Sequence, residues 1–169
     1  VSYYYSVMNE LQITRVDYLD PQQGKDLVTL LNAYALDPLG GDTPLSDEVK
    51  QALPAKLAEV DGANSFIAYV NDQPVGLLNA FMGFSTFNAA PLINIHDVYV
   101  APQARGKGVV DALFAAIEAV ANELNCCKIT LEVLEANGVA QSAYKRLGYK
   151  GYDLGELGGE ALFWQKKLS

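Results

Sequence analysis

Residues 99–110, Tyr-Val-Ala-Pro-Gln-Ala-Arg-Gly-Lys-Gly-Val-Val, hold the pattern with the most chemistry in it. An apolar run ends at Pro102, two glycines follow with one residue between them, and an amphipathic pattern starts at once. Such a turn aims bare backbone N–H groups at one spot, where the positive end of a helix dipole also acts. It is suited to phosphate oxygens. It is not a P-loop, because Lys107 is followed by Gly108 and no glycine stands at 101. It is not a dinucleotide fingerprint either, since position 111 is Asp. His96, the single histidine, lies just upstream inside the apolar run. No Gly-x-Ser-x-Gly elbow accompanies it, which excludes that type of serine hydrolase. With Cys126 and Cys127 it makes a poor metal set, so no metal is expected.

Composition narrows the partners. The chain has 169 residues, half of them hydrophobic, which suffices for one compact core. Twelve Lys and Arg against 20 Asp and Glu leave a formal net charge of -8. That disfavours nucleic acid and attracts cationic small molecules. Adjacent cysteines seldom form a relaxed disulfide, so a reducing, cytoplasmic setting is expected. No apolar run approaches the ~18 residues of a membrane span, and no secretory leader is visible. A single domain is expected over 8–169, with 1–7 set aside as an appended or disordered leader ahead of Met8.

The elements that must carry the turn follow from periodicity. Leu11–Tyr18 reads as a strand, and Asp20-Pro21 as the cap and first residue of a helix through Tyr34. Ser46 caps a second helix, which Pro54 is expected to kink or divide. Strands are expected at 65–70 and 75–84 with a turn at 71–74, and a third strand at 92–100. Alternation along that third strand puts Asn94, His96 and Val98 on one face and Asp97 and Tyr99 on the other. From Gly108, Val109, Leu113, Ile117, Val120 and Leu124 recur at helical spacing. A strand is expected over 128–134, and a helix capped by Asn137 and stopped at Gly148. Two last strands, 149–153 and 161–167, complete the order, and the Gly-rich tail between them suggests a homodimer surface. The fold class is α/β, a mixed and mainly antiparallel central sheet with helices on both faces.

Two segments together resemble the Gcn5-related N-acetyltransferase (GNAT) superfamily. Gln103-Ala-Arg-Gly-Lys-Gly108 resembles its Gln/Arg-x-x-Gly-x-Gly/Ala motif, preceded by Ile95-His-Asp-Val-Tyr-Val100. Asn137-Gly-Val-Ala-Gln-Ser-Ala-Tyr144, followed by Gly148-Tyr149, resembles its second signature. The resemblance covers 65–168 well and 11–62 only by order of elements. It implies the acyl-CoA N-acyltransferase fold and acetyl-CoA as co-substrate. Gln103, Ala104, Arg105, Gly106, Lys107, Gly108 and Val109 then form the diphosphate turn, with backbone N–H groups from about Arg105 to Val109 as donors. Val98, Tyr99 and Val100 pair with the pantetheine arm, and Asn137 reaches it.

Transfer to an amine sets three demands. The amine must lose a proton, and an alkyl ammonium titrates near ~10.4. The carbonyl oxygen needs a donor as charge grows on it, which the Val98 N–H supplies in this reading. The thiolate must be protonated. Tyr144, at the position of the family's tyrosine, is the candidate acid and a cofactor contact, although a phenol near ~10 lies above a thiol near ~8.5. His96 is the candidate base or substrate contact, with Glu132 as the alternative base. Asp97 either binds a cationic group or orders the strand. The polyamine-acetyltransferase-like branch often has Glu where this chain has His96, so that branch's substrate does not transfer directly. The expected activity is direct acetyl transfer to a primary amine of a small molecule, polyamine-like or amino-acid-like. The alternatives are a protein or peptide N-terminal acetyltransferase and a non-catalytic acyl-CoA sensor.

Overall fold

A computed structural model describes residues 11–151 and 164–168. It divides into a unit ending at Glu132 and a second from Val133 onward.

The first unit is built on a five-stranded sheet in the order β1-β2-β3-β4-β5. The strands are β1 (Leu11–Arg15), β2 (Ala63–Val70), β3 (Gln73–Ser85), β4 (Ala90–Val100) and β5 (Ile129–Leu131). All ladders are antiparallel except β4–β5. That parallel pair needs a crossover, supplied by α3 (Val109–Glu123). Asn71 and Asp72, both left-handed at φ 51° and 59°, form the two-residue hairpin turn between β2 and β3. Positive φ at both positions matches the twist of the strands it joins.

Helices α1 (Pro21–Ala35) and α2 (Asp47–Ala58) cover one sheet face. Asp20 caps α1, accepting from Gln22 N at 2.8 Å and Gln23 N at 2.9 Å, worth about 1 kcal/mol. Leu27 and Leu30 of α1 pack with Leu57 of α2 onto Ile67 and Leu77 of the sheet. Ser46 caps α2 as expected. Pro54 does not divide that helix, which runs unbroken through it. Its ring sits against Gly24 of α1, where a built Cβ would lie 3.2 Å from Pro54 Cβ. That tertiary contact helps offset the lost backbone hydrogen bond. The opposite sheet face carries α3, whose Leu113, Phe114 and Ile117 are fully buried. Each such side chain contributes about 1.5–3 kcal/mol of hydrophobic stabilisation.

Two expected strands are shorter than their composition suggested. β1 ends at Arg15, and β5 pairs only over Ile129–Leu131 rather than 128–134. Strand-like composition past Leu131 has no ladder partner among the described residues.

In the second unit, α4 (Gly138–Arg146) starts at Asn137, whose Oδ1 accepts from Ala140 N at 3.1 Å. It ends in a Schellman turn: Gly148 adopts φ +91°, Gly148 N donates to Lys145 O and Tyr149 N to Tyr144 O. Of the two last expected strands, 152–153 and 161–163 lie outside the described residues. Residues 149–151 and 164–168 have no regular secondary structure.

Candidate active site

The turn after β4 is built from its ends inward. Ala101 N donates to Val75 O at 2.8 Å, which ties the end of β4 to β3. Pro102–Ala104 forms a single 3-10 turn. Ala104 N and Arg105 N donate back to Ala101 O at 2.8 Å and Pro102 O at 3.3 Å. These two donors are therefore engaged within the turn, and the open cradle starts at Gly106, one residue later than the sequence suggests. Gly106 and Gly108 adopt φ +73° and +79°, and a Cβ built on either meets nothing within 4 Å. Glycine is needed there for its backbone freedom, and the space beside it stays clear for a ligand. The first bond of α3 is Ala112 N to Gly108 O at 3.1 Å. The N–H groups from Gly108 through Val110 precede the intrahelical ladder and carry the positive end of the dipole. This donor set fits a diphosphate.

Arg105 does not point its guanidinium into that cradle. Its Nε donates to Val100 O at 3.0 Å, and its Nη2 pairs with Asp37 Oδ2 at 3.2 Å, beyond the end of α1.

β4 pairs with β3 along its length but with β5 only over Ile93–Ile95. Val98, Tyr99 and Val100 thus have no strand partner on the β5 side among the described residues. Where the pairing with β5 stops, β4 bulges. Asn79 lies opposite Asp97 and Ala80 opposite Ile95, so His96 is the extra residue.

This bulge corrects the expected alternation. Asp97 and Tyr99, opposite Asn79 and Leu77, face α1. Asn94, opposite Phe81, faces the same way. The His96 ring meets the Phe81 ring edge-on at 4.8 Å, and Phe81 packs on the α1-side core. Asn94, His96, Asp97 and Tyr99 therefore share one face, and Val98, opposite Leu78, is left on the other. An extra residue resets the period-two pattern, which no local property of 92–100 announces.

The same face receives Glu132, one residue past β5. Asn94 Nδ2 donates to Thr130 Oγ1 at 2.9 Å and, more weakly, to Glu132 Oε1 at 3.4 Å. His96 and Glu132 are both exposed. Asp97 is half-buried and accepts from Asn79 Nδ2 at 3.0 Å. Tyr34 of α1 approaches this group of residues, its ring centroid 6.2 Å from that of Tyr99. Burial first, then the carboxylates of Asp97 and Asp37, push the Tyr34 hydroxyl above the ordinary phenol range. Tyr34, Asn79 and Ser65 are site neighbours that sequence reasoning missed. The signal available was polar residues, Ser65 and Asn79, inside otherwise apolar strands.

Asn137 and Tyr144 belong to the second unit. They stand seven residues apart, about two turns, at opposite ends of α4. Asn137 is engaged as the helix cap, and the half-buried Tyr144 ring lies 6.4 Å from that of Tyr149.

The family model for the acetyltransferase (GNAT) family matches residues 27–149, and the chain belongs to that family. It is an N-acetyltransferase with acetyl-CoA as donor. A thialysine N-epsilon-acetyltransferase of Sus scrofa is 32% identical, over 68% of this chain and 73% of its own. An aminoglycoside N(6')-acetyltransferase type 1 of Salmonella typhimurium is 22% identical, over 62% and 74%. Among solved structures, a soil-metagenome aminoglycoside acetyltransferase in complex with trehalose superposes with a TM-score of 0.77 at 18% identity, covering 96% of this chain and 99% of that one. An aminoglycoside acetyltransferase in complex with CoA gives 0.75 at 17%, covering 94% and 96%. Both share the mixed, mainly antiparallel α/β fold described above.

Proposed function

We propose that the chain acetylates a primary amine of a cationic small molecule by direct transfer from acetyl-CoA, with no covalent enzyme intermediate. The observation that carries this reading is the end of β4. A bulge bearing His96 and Asp97, a strand edge without a strand partner on the β5 side among the described residues, and a glycine cradle follow one another within thirteen residues, 96–108. The relatives named for thialysine and aminoglycosides act on amines, and the net charge of -8 suits a cationic acceptor.

In this reading the amides from Gly106 to Val109 hold the diphosphate, and Gln103, Ala104, Arg105 and Lys107 shape the turn. The edge of Val98, Tyr99 and Val100 takes the pantetheine amides, with the Val98 N–H meeting the carbonyl oxygen. Asn137 supports the pantetheine side. The amine nitrogen forms its bond to the acetyl carbon as the carbon–sulfur bond breaks. The proton lost by the amine goes to His96, directly or through water, with Glu132 as the alternative base. The proton gained by the sulfur comes from Tyr144, and solvent returns the two residues to their starting states.

The adjacent free thiols Cys126 and Cys127 support a cytoplasmic setting. The acidic surface argues against nucleic acid as a partner. Exposed Met82, Phe84 and Phe87 around the β3–β4 hairpin support a homodimer. Among the described residues no helix is long and apolar enough to cross a membrane.

Thiol release from acetyl-CoA, measured with and without thialysine, diamines, aminoglycosides and short peptides, tests the reading. Amine-dependent release with a product heavier by one acetyl group is expected. Transfer confined to peptide N-termini, or tight binding without turnover, overturns it. Tyr144→Phe is expected to lower kcat by about 100-fold at unchanged KM for acetyl-CoA.

A further inference from the structure

Beneath α1 and α2 a line of hydrogen-bonded polar groups crosses the sheet. Ser65 of β2 and Asn79 of β3 are 2% and 3% exposed. Ser65 Oγ gives its single proton to Asn79 Oδ1 at 2.6 Å. Tyr18, in the turn between β1 and α1, lies 2.9 Å from Ser65 Oγ, and with that proton committed Tyr18 must be the donor. Asn79 then presents its Nδ2 to Asp97 Oδ2 at 3.0 Å. The direction is settled at each link. Were the Asn79 amide reversed, its oxygen would face a carboxylate and its nitrogen the Ser65 hydroxyl. The chain runs from Tyr18 through Ser65 and Asn79, across three strands, and ends on one anion.

Such a line is not what stability alone selects. Replacing a buried polar pair by apolar groups of like shape is often neutral or stabilising. What hydrogen bonds contribute beyond apolar packing is a fixed geometry, here for the last group in the line. That group sits on the bulge, where β4 leaves β5. It also has no ion-pair partner among the described residues, whereas the neighbouring Asp37 pairs with Arg105 at 3.2 Å.

We propose that Tyr18, Ser65 and Asn79 are positioning residues, holding the Asp97 carboxylate in the orientation that receives the ammonium group of the acceptor. This rests on the amine-acceptor reading above and deepens it. Asp97 binds the charged acceptor at the bulge, beside His96. The half-buried Tyr18 and the buried Ser65 and Asn79 never touch the acceptor and act on it through Asp97.

A double-mutant cycle on the full-length chain tests this, with thialysine and 1,4-diaminobutane as acceptors. Asp97→Asn sets the reference and is expected to raise the amine KM at least tenfold, leaving the acetyl-CoA KM unchanged. Tyr18→Phe removes one distant oxygen. It is expected to raise the amine KM about three- to tenfold, the worth of one hydrogen bond, again without moving the acetyl-CoA KM. In the Asp97→Asn background the Tyr18→Phe effect is expected to vanish. Ser65→Ala supplies the same comparison should Tyr18→Phe fold poorly. An unchanged amine KM with only a lowered melting temperature, or an equal effect in both backgrounds, shows that the line is structural and overturns the proposal. That result leaves amine acetylation by the parent chain intact. Absence of amine acetylation by the parent chain defeats the acceptor reading itself and this proposal with it.

Discussion

Asn137 carries two jobs that one substitution separates. Its side chain caps α4, and in the proposed function it also supports the pantetheine arm. Asn137→Ala is expected to loosen the first turn of α4 by about 1 kcal/mol, read as faster amide hydrogen exchange there. Asn137→Ser keeps a capping oxygen and loses the amide. It is expected to leave exchange near the parent level while raising the acetyl-CoA KM. Were the residue only a cap, Asn137→Ser would leave both readouts unmoved. The cap was legible in the sequence because capping is local: an Asn, an amphipathic run and Gly148 at its end suffice. The placement of Asp97 was not legible. Its face depends on an extra residue set by the register with β3, a partner some twenty residues away.

Between elements, contact distance decides what the fold tolerates. Gly76 of β3 faces α3, and a Cβ built on it lies 2.7 Å from Val109 Cγ1, with Ala68 Cβ at 3.2 Å and Leu113 Cδ1 at 3.3 Å. A valine side chain has little freedom to move aside, so Gly76→Ala must push the start of α3 off the sheet. A loss of about 1–3 kcal/mol in denaturant unfolding is expected. Val109 adjoins the glycine cradle, so a higher acetyl-CoA KM is expected as well. Unaltered unfolding would mean that α3 settles on the sheet without that close approach. Element order and the helix caps could be read from periodicity, which records one element's own burial. The length of β5 and the continuity of α2 through Pro54 could not, because a neighbour sets them: pairing with β4 in one case, packing on Gly24 in the other.

The molecule as a whole carries an alkaline limit. Tyr18, Tyr34 and Tyr69 all have their hydroxyls pushed above the ordinary phenol range, burial being the main cause in each. Hydrogen bonding to Asp26 adds to the shift at Tyr69. The folded state therefore keeps these protons at pH values where the unfolded chain has released them. Their contribution is fully present below about pH 10, the unfolded value, and is lost as pH rises through the higher folded values. Denaturant unfolding between pH 8 and 11 is expected to show stability falling from about pH 10 upward, with a shallower fall in Tyr69→Phe. A flat profile would show that these phenols titrate alike in both states. The described sheet has one more property at this scale. Its strands lie in space in the order they occur in the chain, each beside its predecessor. As the polypeptide leaves the ribosome, each strand of this described sheet after the first meets a ladder partner already synthesised, and none of the five has to wedge between two others. Assembly of these strands can keep pace with translation, and the edge proposed to carry the chemistry is in place with the fourth of them.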